Sequence, residues 1–328
     1  MQQETITAGE IQQAKTIVNN ILGYYNSKVV GQPFLGAAIL VSMMSNGHIL
    51  MESVPGLAKT TAAKVMTEAV NGTFSRIQCT PDLIPSDIVG TQIYNAMTNS
   101  FENKIGPVYA NFVLLDEINR SSAKTQSAML EAMQEHEITI GGQTYKMPEV
   151  FVVIATQNPI EQEGTYVLSE AQLDRFLLKV KIDYPDPSSE IEILNRIEKG
   201  VFLQGQAVAG INDIVFLQKL RERVYVDNAI KKYIVDIVQA SRQVNRILPP
   251  ELAQYVNMGA STRAAITFMD VAKAVAIING RSYCTPDDVK ALRYSVLGHR
   301  ISLNYAAIAD GVQEEKIIDA IIGAVPTP

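Results

Sequence analysis

The sequence predicts an α/β fold in which a core with a parallel sheet is followed by an all-α domain. Three observations lead to this prediction. Short apolar runs alternate with amphipathic helical segments from residue 47 to residue 182. The runs around Leu114 and Val153 are apolar at consecutive positions, as expected for parallel strands buried on both faces. Beyond Ile182 the pattern is helical throughout, and strands that alternate with helices before such a segment indicate a doubly wound core.

Length and composition set the limits of the prediction. The chain has 328 residues, enough for about two domains of roughly 150 residues each. A turn-rich segment at 183–189 places the predicted boundary after residue 185, with a core over 1–185 and a helical domain over 186–328. A hydrophobic content of 47% with 19% charged residues excludes a disordered or fibrous protein. The net charge of −6 argues against a protein that coats nucleic acid.

The predicted compartment is the cytoplasm. The N-terminal 25 residues lack the basic and apolar regions of a secretory signal. The sequence contains no uninterrupted apolar run of about 18 residues, so no membrane span is expected. Cys79 and Cys284 are far apart and have no metal-site spacing, which is typical of a reducing environment.

Secondary structure follows from the spacing of apolar residues. The predicted strands are His48–Met51, Ser75–Cys79, Phe112–Leu115, Phe151–Ala155 and Leu177–Ile182. The predicted helices of the core include Lys59–Val70 and Ser122–Glu135. In the second domain helices are predicted near 189–200, 213–221, 228–244, 262–279 and 286–296.

The loop between the first predicted strand and the next helix has the features of a phosphate-binding loop. The candidate nucleotide-binding residues there are Val54, Pro55, Gly56, Leu57, Ala58, Lys59, Thr60 and Thr61. Backbone N–H groups of such a loop surround phosphate oxygens, and the following helix adds its positive end. Lys59 would reach the β and γ phosphates, and Thr60 would bind Mg²⁺ through its hydroxyl. Ser53 and Ala58 replace the two glycines of the usual pattern, so this segment alone also fits a plain strand–turn–helix corner.

Two carboxylates, Asp116 and Glu117, follow the apolar strand at 112–115. Asp116, at the tip of the strand, is a candidate ligand for the Mg²⁺ held by Thr60. Glu117 is a candidate catalytic base that polarises the attacking water. Adjacent acids can also cap a following helix, but their combination with Lys59 and Thr60 favours the catalytic interpretation.

A series of motifs resembles the MoxR family of AAA+ ATPases over nearly the whole chain, from about residue 10 to residue 320. These motifs lie at 54–60, 116–120, 124–127, 130–135, 155–159, 170–176 and 259–264. The resemblance implies a P-loop αβα core followed by a helical lid. It also implies two insertions, one within about 82–108 and a β-hairpin near 137–147, and a Gly141-Gly142 turn supports the hairpin.

The resemblance further implies roles for individual residues. Asn158 would be the sensor-1 residue and Arg263 the sensor-2 residue, while Arg175 would be the arginine finger given to the neighbouring subunit. The segment Val30, Gly31 and Gln32 matches the one that lines the adenine pocket. The implied cofactors are ATP and Mg²⁺, and the implied assembly is a hexameric ring of identical subunits. The segment 186–189 is the candidate hinge between core and lid.

The leading hypothesis is therefore a MoxR-like ATPase that remodels or matures partner proteins, in some family members by metal-cofactor insertion. The sequence does not identify the client proteins. Two alternatives stay open. Ser53 stands where the family usually has Gly, which motivates an ATP-binding scaffold with little turnover. A nucleic-acid motor or a chelatase-like subunit is the other alternative, since related AAA+ branches do both, although the net charge of −6 disfavours nucleic acid as a partner.

Overall fold

A computed structural model of the chain describes residues 5–54, 56–159, 166–200 and 205–328. These residues form two compact units. One consists of the described parts of 1–18, 169–179 and 217–328, and the other of the described parts of 19–168 and 180–216. We call them the helical unit and the sheet unit. Because each unit takes residues from both sides of residue 185, the predicted division of the chain into 1–185 and 186–328 stays a prediction.

Strands account for a minor part of the described chain. They are β1 (Ile49–Glu52), β2 (Phe74–Gln78), β3 (Gly90–Asn95), β4 (Ser100–Ile105), β5 (Phe112–Asp116), β6 (Glu137–Ile140), β7 (Gln143–Lys146), β8 (Val152–Gln157), β9 (Leu178–Lys181), β10 (Val256–Met258) and β11 (Ser302–Leu303).

Helices make up most of the remainder. From the N-terminus they are α1 (Ala8–Lys28), α2 (Pro33–Met44), α3 (Lys59–Ala69), α4 (Pro85–Val89), α5 (Ala123–Glu135), α6 (Glu170–Leu173), α7 (Pro187–Glu198) and α8 (Ile211–Arg223). The later ones are α9 (Asn228–Arg242), α10 (Val244–Ile247), α11 (Pro250–Ala253), α12 (Thr262–Ile278), α13 (Pro286–Ala291), α14 (Arg293–Leu297), α15 (Tyr305–Ala309) and α16 (Glu314–Ala324).

The main sheet has the strand order β2-β5-β8-β1-β9. The pairings β2–β5, β5–β8 and β1–β8 are parallel, so the predicted parallel sheet is confirmed. Strands β5 and β8 are buried along nearly their whole length, because helices connect parallel strands and cover both faces of such a sheet.

The two predicted insertions have regular structure. The segment 82–108 contains α4 and the antiparallel hairpin β3–β4. The hairpin predicted near 137–147 is β6–β7, in which Ile140 pairs with Gln143. Its turn residues Gly141 and Gly142 both have positive φ, 57° and 79°, as a two-residue type I′ turn requires. The amide of Asn103 in β4 donates to the carbonyl oxygen of Ile140 at 3.0 Å, which ties the two hairpins together.

The helical unit confirms the predicted helical lid but contains strands that the sequence analysis missed. Strands β10 and β11 form a two-stranded antiparallel sheet, so this part of the chain is not purely α-helical. Strands of three and two residues are too short to show a period of two. The helix predicted over 286–296 is divided into α13 and α14 at Leu292, which has non-helical backbone angles.

The segment 186–189, predicted as part of a turn-rich linker, consists of the N-cap Asp186 and the first residues of α7, and its role as a hinge stays a prediction. The Asp186 carboxylate accepts the N–H groups of Ser188 and Ser189 at 2.9 and 3.0 Å, and Pro187 is the first helical residue. Asp at the N-cap followed by Pro is a helix-start signal, although the same residues also form turns. The turn that precedes α7 is therefore shorter than predicted.

Among the described helices, none combines the length and the apolar character that crossing a membrane requires.

Candidate functional site

The candidate site lies at the carboxyl end of the main sheet, where the chain reverses its direction of winding. After β1 the chain passes through α3 to β2 at one edge, whereas after β8 it continues to β9 on the other side of β1. In open α/β sheets ligands bind outside the carboxyl ends of the strands at such a switch point. The 53–58 loop follows β1, and Asn158 follows β8.

The 53–58 loop is anchored to β8 and turns sharply before α3. The N–H of Ser53 donates to the carbonyl oxygen of Gln157 at 3.2 Å. Gly56 and Ala58 have φ of 88° and 54°, and these left-handed conformations turn the backbone immediately before the first residue of α3. Pro55 lies outside the described residues. Ser53 does not have a positive φ, and its hydroxyl donates to the carbonyl oxygen of Val54 at 3.1 Å. A side chain at this position therefore adds no left-handed backbone strain.

The amine of Lys59 lies at the loop and within electrostatic reach of the acid pair. Nζ donates to the carbonyl oxygen of Ser53 at 3.3 Å. Burial lowers the pKa of Lys59, and the negative charges of Asp116 and Glu117 partly oppose that effect. Thr60, in the first turn of α3, is half-buried. The structure thus brings the amine of Lys59 and both carboxylates to the carboxyl end of the sheet.

A buried threonine fixes the acid pair. Thr156, on β8, donates through its hydroxyl to Oδ1 of Asp116 at 2.9 Å. The hydroxyl oxygen of Thr156 also accepts the N–H of Glu117 at 2.8 Å. Thr156 is fully buried, so neither bond competes with bulk water. Thr156 was not predicted as a site residue, although it stands two residues before Asn158 within the 155–159 motif.

Glu117 has an unusual backbone conformation and polar neighbours on its carboxylate. Its φ is 59° and its ψ 55°, a left-handed conformation that is uncommon for a residue other than glycine and is often found at functional sites. Oε2 lies 3.3 Å from Nε of Arg120 and accepts the amide of Gln78 at 3.5 Å. Both contacts are long, so the carboxylate remains available for other donors.

The second oxygen of Asp116 is in contact with a cation. A guanidinium nitrogen of Arg76 lies 2.6 Å from Oδ2 of Asp116. The Arg76 side chain is 48% exposed and that of Asp116 14% exposed, so this arginine approaches from the solvent side. Arg76 and Gln78 alternate with buried Ile77 on the edge strand β2. Residues two apart in a strand lie on the same face, so this alternation in the sequence indicates that Arg76 and Gln78 share one face of β2.

Asn158, the predicted sensor-1 residue, follows β8 directly and is only 4% exposed. A buried polar residue at the end of a central strand is positioned by the sheet itself, and it lies at the same carboxyl end as Thr156.

A cavity of about 470 Å³ lies beside the loop in the sheet unit. The lining residues come from the end of α1 and the segment after it, from the loop and α3, and from α7: Lys28, Val29, Val30, Ala58, Thr61, Lys64, Val65, Glu68, Ile193 and Ile197. Val30 is thus at the cavity. The side-chain amide of Gln32 donates to the carbonyl oxygen of Asp183 at 3.0 Å. Gly31 packs closely against Pro185, since a Cβ added at Gly31 would lie 3.1 Å from the Cβ of Pro185.

The two predicted arginines belong to the helical unit. Arg175 is exposed and follows Asp174 at the end of α6. Arg263 lies in the first turn of α12, and one of its guanidinium nitrogens is 3.3 Å from Oδ2 of Asp174. Ser261 caps this helix and also donates to Oδ2 of Asp174 at 2.8 Å.

The residues of the sheet unit fit a magnesium nucleotide. Mg²⁺ is usually held by one or two carboxylates together with phosphate oxygens and waters, and Asp116 and Thr60 supply one carboxylate and one hydroxyl. Among the described residues no group of three His, Cys, Asp or Glu side chains could hold a metal by itself. The loop also has room at Gly56, since a Cβ there would meet no atom within 4 Å.

Comparison with known proteins gives matches along most of the chain. Residues 48–178 match the model of the ATPase family associated with various cellular activities (AAA), and residues 252–321 match the AAA lid domain. Chaperone MoxR1 of Mycobacterium tuberculosis is 44% identical over 92% of this chain and 79% of the relative. Protein YeaC of Bacillus subtilis is 41% identical over 95% of each chain. The crystal structure of a candidate ATPase from Cytophaga hutchinsonii superposes with a TM-score of 0.91 at 43% identity, and covers 98% of this chain and 97% of that one.

Proposed function

Because the chain belongs to the MoxR family of AAA+ ATPases, we propose that it binds and hydrolyses Mg-ATP at subunit interfaces and acts as a chaperone that remodels or matures partner proteins. The observation that carries the proposal is that Thr156 holds Asp116 and Glu117 at the carboxyl end of the sheet, with Lys59 at the neighbouring loop and within electrostatic reach of both acids. Phosphoryl transfer to water needs a cation that binds phosphate, a carboxylate that helps to hold Mg²⁺ and a second group that positions the attacking water. Lys59, Asp116 and Glu117 are side chains of these types.

Phosphate binding would use the 53–58 loop and the N-terminus of α3. The Lys59 amine, which now donates to the Ser53 carbonyl, would turn to the β and γ phosphates. Thr60 and Asp116 would hold Mg²⁺, which would neutralise charge on the phosphates when bound. The adenine base would enter the cavity beside the loop, where Val30, Val65 and Ile193 offer apolar surface and Glu68 or Lys64 can bind the polar edge of the base.

Hydrolysis would use Glu117 as a general base. A water in line with the bond between the γ phosphorus and its bridging oxygen forms the new P–O bond while that bond breaks, and ADP leaves with the bridging oxygen. The Glu117 carboxylate accepts the proton that the water loses. Asn158 would orient the water or the γ-phosphate from the end of β8. The fixed position of Glu117, held through its backbone N–H by Thr156, supports this role.

Assembly would complete each site. Arg175 is exposed on the helical unit, and an arginine supplied by a neighbouring subunit raises phosphoryl-transfer rates by about 10³–10⁵. A head-to-tail contact of this kind repeats until it closes a ring, and we propose a hexamer. Arg263 would contact the phosphates bound by its own subunit, so that hydrolysis changes the contacts between lid and core. We propose that this motion remodels a client protein. For some clients the remodelling would lead to insertion of a metal cofactor.

The proposal is tested by separating nucleotide binding from turnover. We expect Lys59→Ala to abolish binding of a fluorescent ATP analogue in the micromolar range. We expect Glu117→Gln to bind within about threefold of wild type but to hydrolyse ATP about 10²–10⁴-fold more slowly. Lys124→Ala and Glu131→Gln make the same chemical changes at exposed positions of α5, and they should retain both properties.

The scaffold hypothesis predicts a different result. If wild type binds ATP but hydrolyses it no faster than Glu117→Gln, the protein is a nucleotide-dependent scaffold. The backbone at Ser53 favours turnover, since the residue that departs from the family pattern is not in a strained conformation. A nucleic-acid motor would instead show DNA binding that weakens steeply with salt.

The chaperone role is tested by client capture. Glu117→Gln subunits should hold ATP and retain client proteins, whereas Lys59→Ala subunits should not. Proteins that copurify with the first variant in an ATP-dependent manner, and are absent with the second, are the expected clients. Equal recovery with both variants would argue against nucleotide-driven remodelling.

A further inference from the structure

The Asp174 carboxylate forms ion pairs with two arginines, one of which is buried and the other half-exposed. Oδ1 accepts Nε of Arg300 at 2.7 Å, and Oδ2 lies 3.3 Å from a guanidinium nitrogen of Arg263. The Arg300 side chain is 1% exposed and the Arg263 side chain 46% exposed. One arginine is therefore a fixed internal partner of Asp174, and the other is free to exchange it for a ligand at little desolvation cost.

Arg300 fixes the whole turn around Arg175 and not only the Asp174 carboxylate. Its guanidinium donates to the carbonyl oxygens of Phe176 at 2.7 Å, Leu177 at 3.2 Å and Asp174 at 3.3 Å. The imidazole Nε2 of buried His299 lies 3.1 Å from the carbonyl oxygen of Phe176 as well. These carbonyls belong to the residues on both sides of Arg175, so the backbone that carries Arg175 is held at several points.

The same guanidinium joins this turn to the helices of the unit. It donates to the carbonyl oxygen of Val296 in α14 at 2.6 Å and to the hydroxyl of Thr267 in α12 at 3.3 Å. Helix α12 also carries Arg263 in its first turn. Burial lowers the pKa of Arg300 to about 10, and Asp174 opposes that effect, so the guanidinium stays charged at neutral pH.

We infer that Asp174 and Arg300 are a pair of positioning residues that hold the turn of Arg175 and the first turn of α12, with Arg263, in one hydrogen-bonded network. Asp174 orients Arg263 directly through its carboxylate, and Arg300 holds the 174–177 turn so that Arg175 projects from a fixed backbone. Planar, forked donors suit this task because one guanidinium can bind a carboxylate and several carbonyls at once. The inference rests on the proposed roles of Arg175 and Arg263.

The physical consequence is that a donor subunit needs Asp174 even when its own nucleotide site is inactive. A displacement of about 1 Å in a catalytic group can cost about a hundredfold in rate. Asp174→Asn keeps the size of the side chain but removes the charge that holds Arg300 and Arg263. The effect should therefore reach the nucleotide of the neighbouring subunit through Arg175.

The experiment uses mixed assemblies of full-length chains. Lys59→Ala subunits bind no nucleotide but can donate Arg175, and Arg175→Ala subunits bind nucleotide but cannot donate. Mixing the two should restore ATP hydrolysis. We expect the double variant Lys59→Ala/Asp174→Asn to restore about tenfold less activity than Lys59→Ala, at equal assembly by size-exclusion chromatography.

The matched control is Asp270→Asn in the same donor. Asp270 also lies on α12 and forms an ion pair with Arg221 at 2.6 Å, in which the arginine side chain is 11% exposed. Its partner Arg221 lies in α8, so the control donor should restore activity as Lys59→Ala does. Equal restoration by the Asp174→Asn and Asp270→Asn donors would overturn the inference.

A second measurement keeps the inference separate from the proposed function. Amide hydrogen exchange of peptides covering 170–182 should be about tenfold faster in Asp174→Asn than in wild type, and unchanged in Asp270→Asn. If no mixture restores hydrolysis, the role of Arg175 in a neighbouring site is wrong, and exchange alone decides whether Asp174 holds the turn. Unchanged exchange in Asp174→Asn would refute the positioning role in either case.

Discussion

Thr156 and Asp116 are joined across neighbouring parallel strands by a hydrogen bond of 2.9 Å from the threonine hydroxyl to Oδ1 of the carboxylate. The same hydroxyl oxygen accepts the N–H of Glu117 at 2.8 Å. One buried side chain therefore sets the position of the proposed metal ligand and of the proposed base. Strand register makes this possible, because β5 and β8 pair in parallel up to Leu115 and Ala155, one residue before the two groups meet.

Replacement of Thr156 by valine should impair turnover more than nucleotide binding. The variant keeps the shape but leaves Oδ1 of Asp116 and the N–H of Glu117 without their partner, at a cost of about 1–3 kcal/mol for each buried group. We expect kcat to fall about tenfold or more with the affinity for ATP within about threefold of wild type. Thr139→Val, at an exposed position of the hairpin strand β6, should change neither. A normal kcat in Thr156→Val would show that the hydroxyl does not organise the site.

Replacement of Arg76 by glutamine should lower the Mg²⁺ concentration needed for nucleotide binding. The cation now lies 2.6 Å from Oδ2 of Asp116, and a metal that uses this carboxylate must compete with it. Half-exposed ion pairs contribute about 0.2–1 kcal/mol, so we expect the half-saturating Mg²⁺ concentration to fall about two- to fivefold. The half-saturating Mg²⁺ concentration is measured by titrating Mg²⁺ into the protein with a fluorescent nucleotide and following nucleotide binding. Arg120→Gln removes a cation that lies 3.3 Å from Oε2 of Glu117 and should have a smaller effect, and equal shifts in the two variants would contradict the explanation.

Replacement of Ile193 by asparagine should weaken binding of the base without affecting the phosphates. Ile193 lines the cavity beside the loop from α7. Loss of a small apolar group from a binding pocket costs about 1–3 kcal/mol of binding free energy, so the affinity for ATP should fall about tenfold. Tripolyphosphate, which has no base, should compete equally well for the wild type and for the variant. A matched loss of tripolyphosphate affinity would mean that the cavity does not hold the base.

Acid should destabilise the fold in part through His48. Burial lowers the pKa of His48 to about 4, well below its ordinary value of about 6.5. Between these values the unfolded chain binds a proton that the folded chain does not, so the free energy of unfolding falls as the pH falls. The full contribution is about 3 kcal/mol, present above pH 6.5 and lost by about pH 4.

His48→Gln tests this prediction. The difference between its urea denaturation midpoints at pH 7 and pH 4.5 should be smaller than that of wild type. His136 is half-buried, its own pKa is lowered by burial, and its charge is a minor cause of the low pKa of His48, so the comparison variant His136→Gln should show a smaller change. Identical pH dependence in wild type and His48→Gln would assign the acid sensitivity to other groups, among them buried His299.

The strands of the main sheet and the ends of the main helices could be predicted because their signals are local, whereas β3 and β4 were expected only as an insertion of unspecified structure. Apolar runs at 112–115 and 151–155 lie within one residue of the observed β5 and β8 at their beginnings, and the turn at Gly141 and Gly142 was evident from two glycines. The strands β10 and β11 left no such signal, since two or three residues show no period. The start of α7 was predicted near residue 189, two residues late, because aspartate and proline start helices as readily as they form turns.

The sequence by itself determined the order of the motifs: a lysine after the first strand, an acid pair after an apolar strand, and an asparagine after the next. These are short-range facts, fixed by neighbours along the chain. The tertiary structure decided which side chains meet, because the order of strands in the sheet brings together residues that are distant in sequence. Arg76 and Thr156 reach Asp116 in this way, and Arg300 reaches the turn that carries Arg175. No local pattern encodes such contacts, since each depends on how separate segments pack.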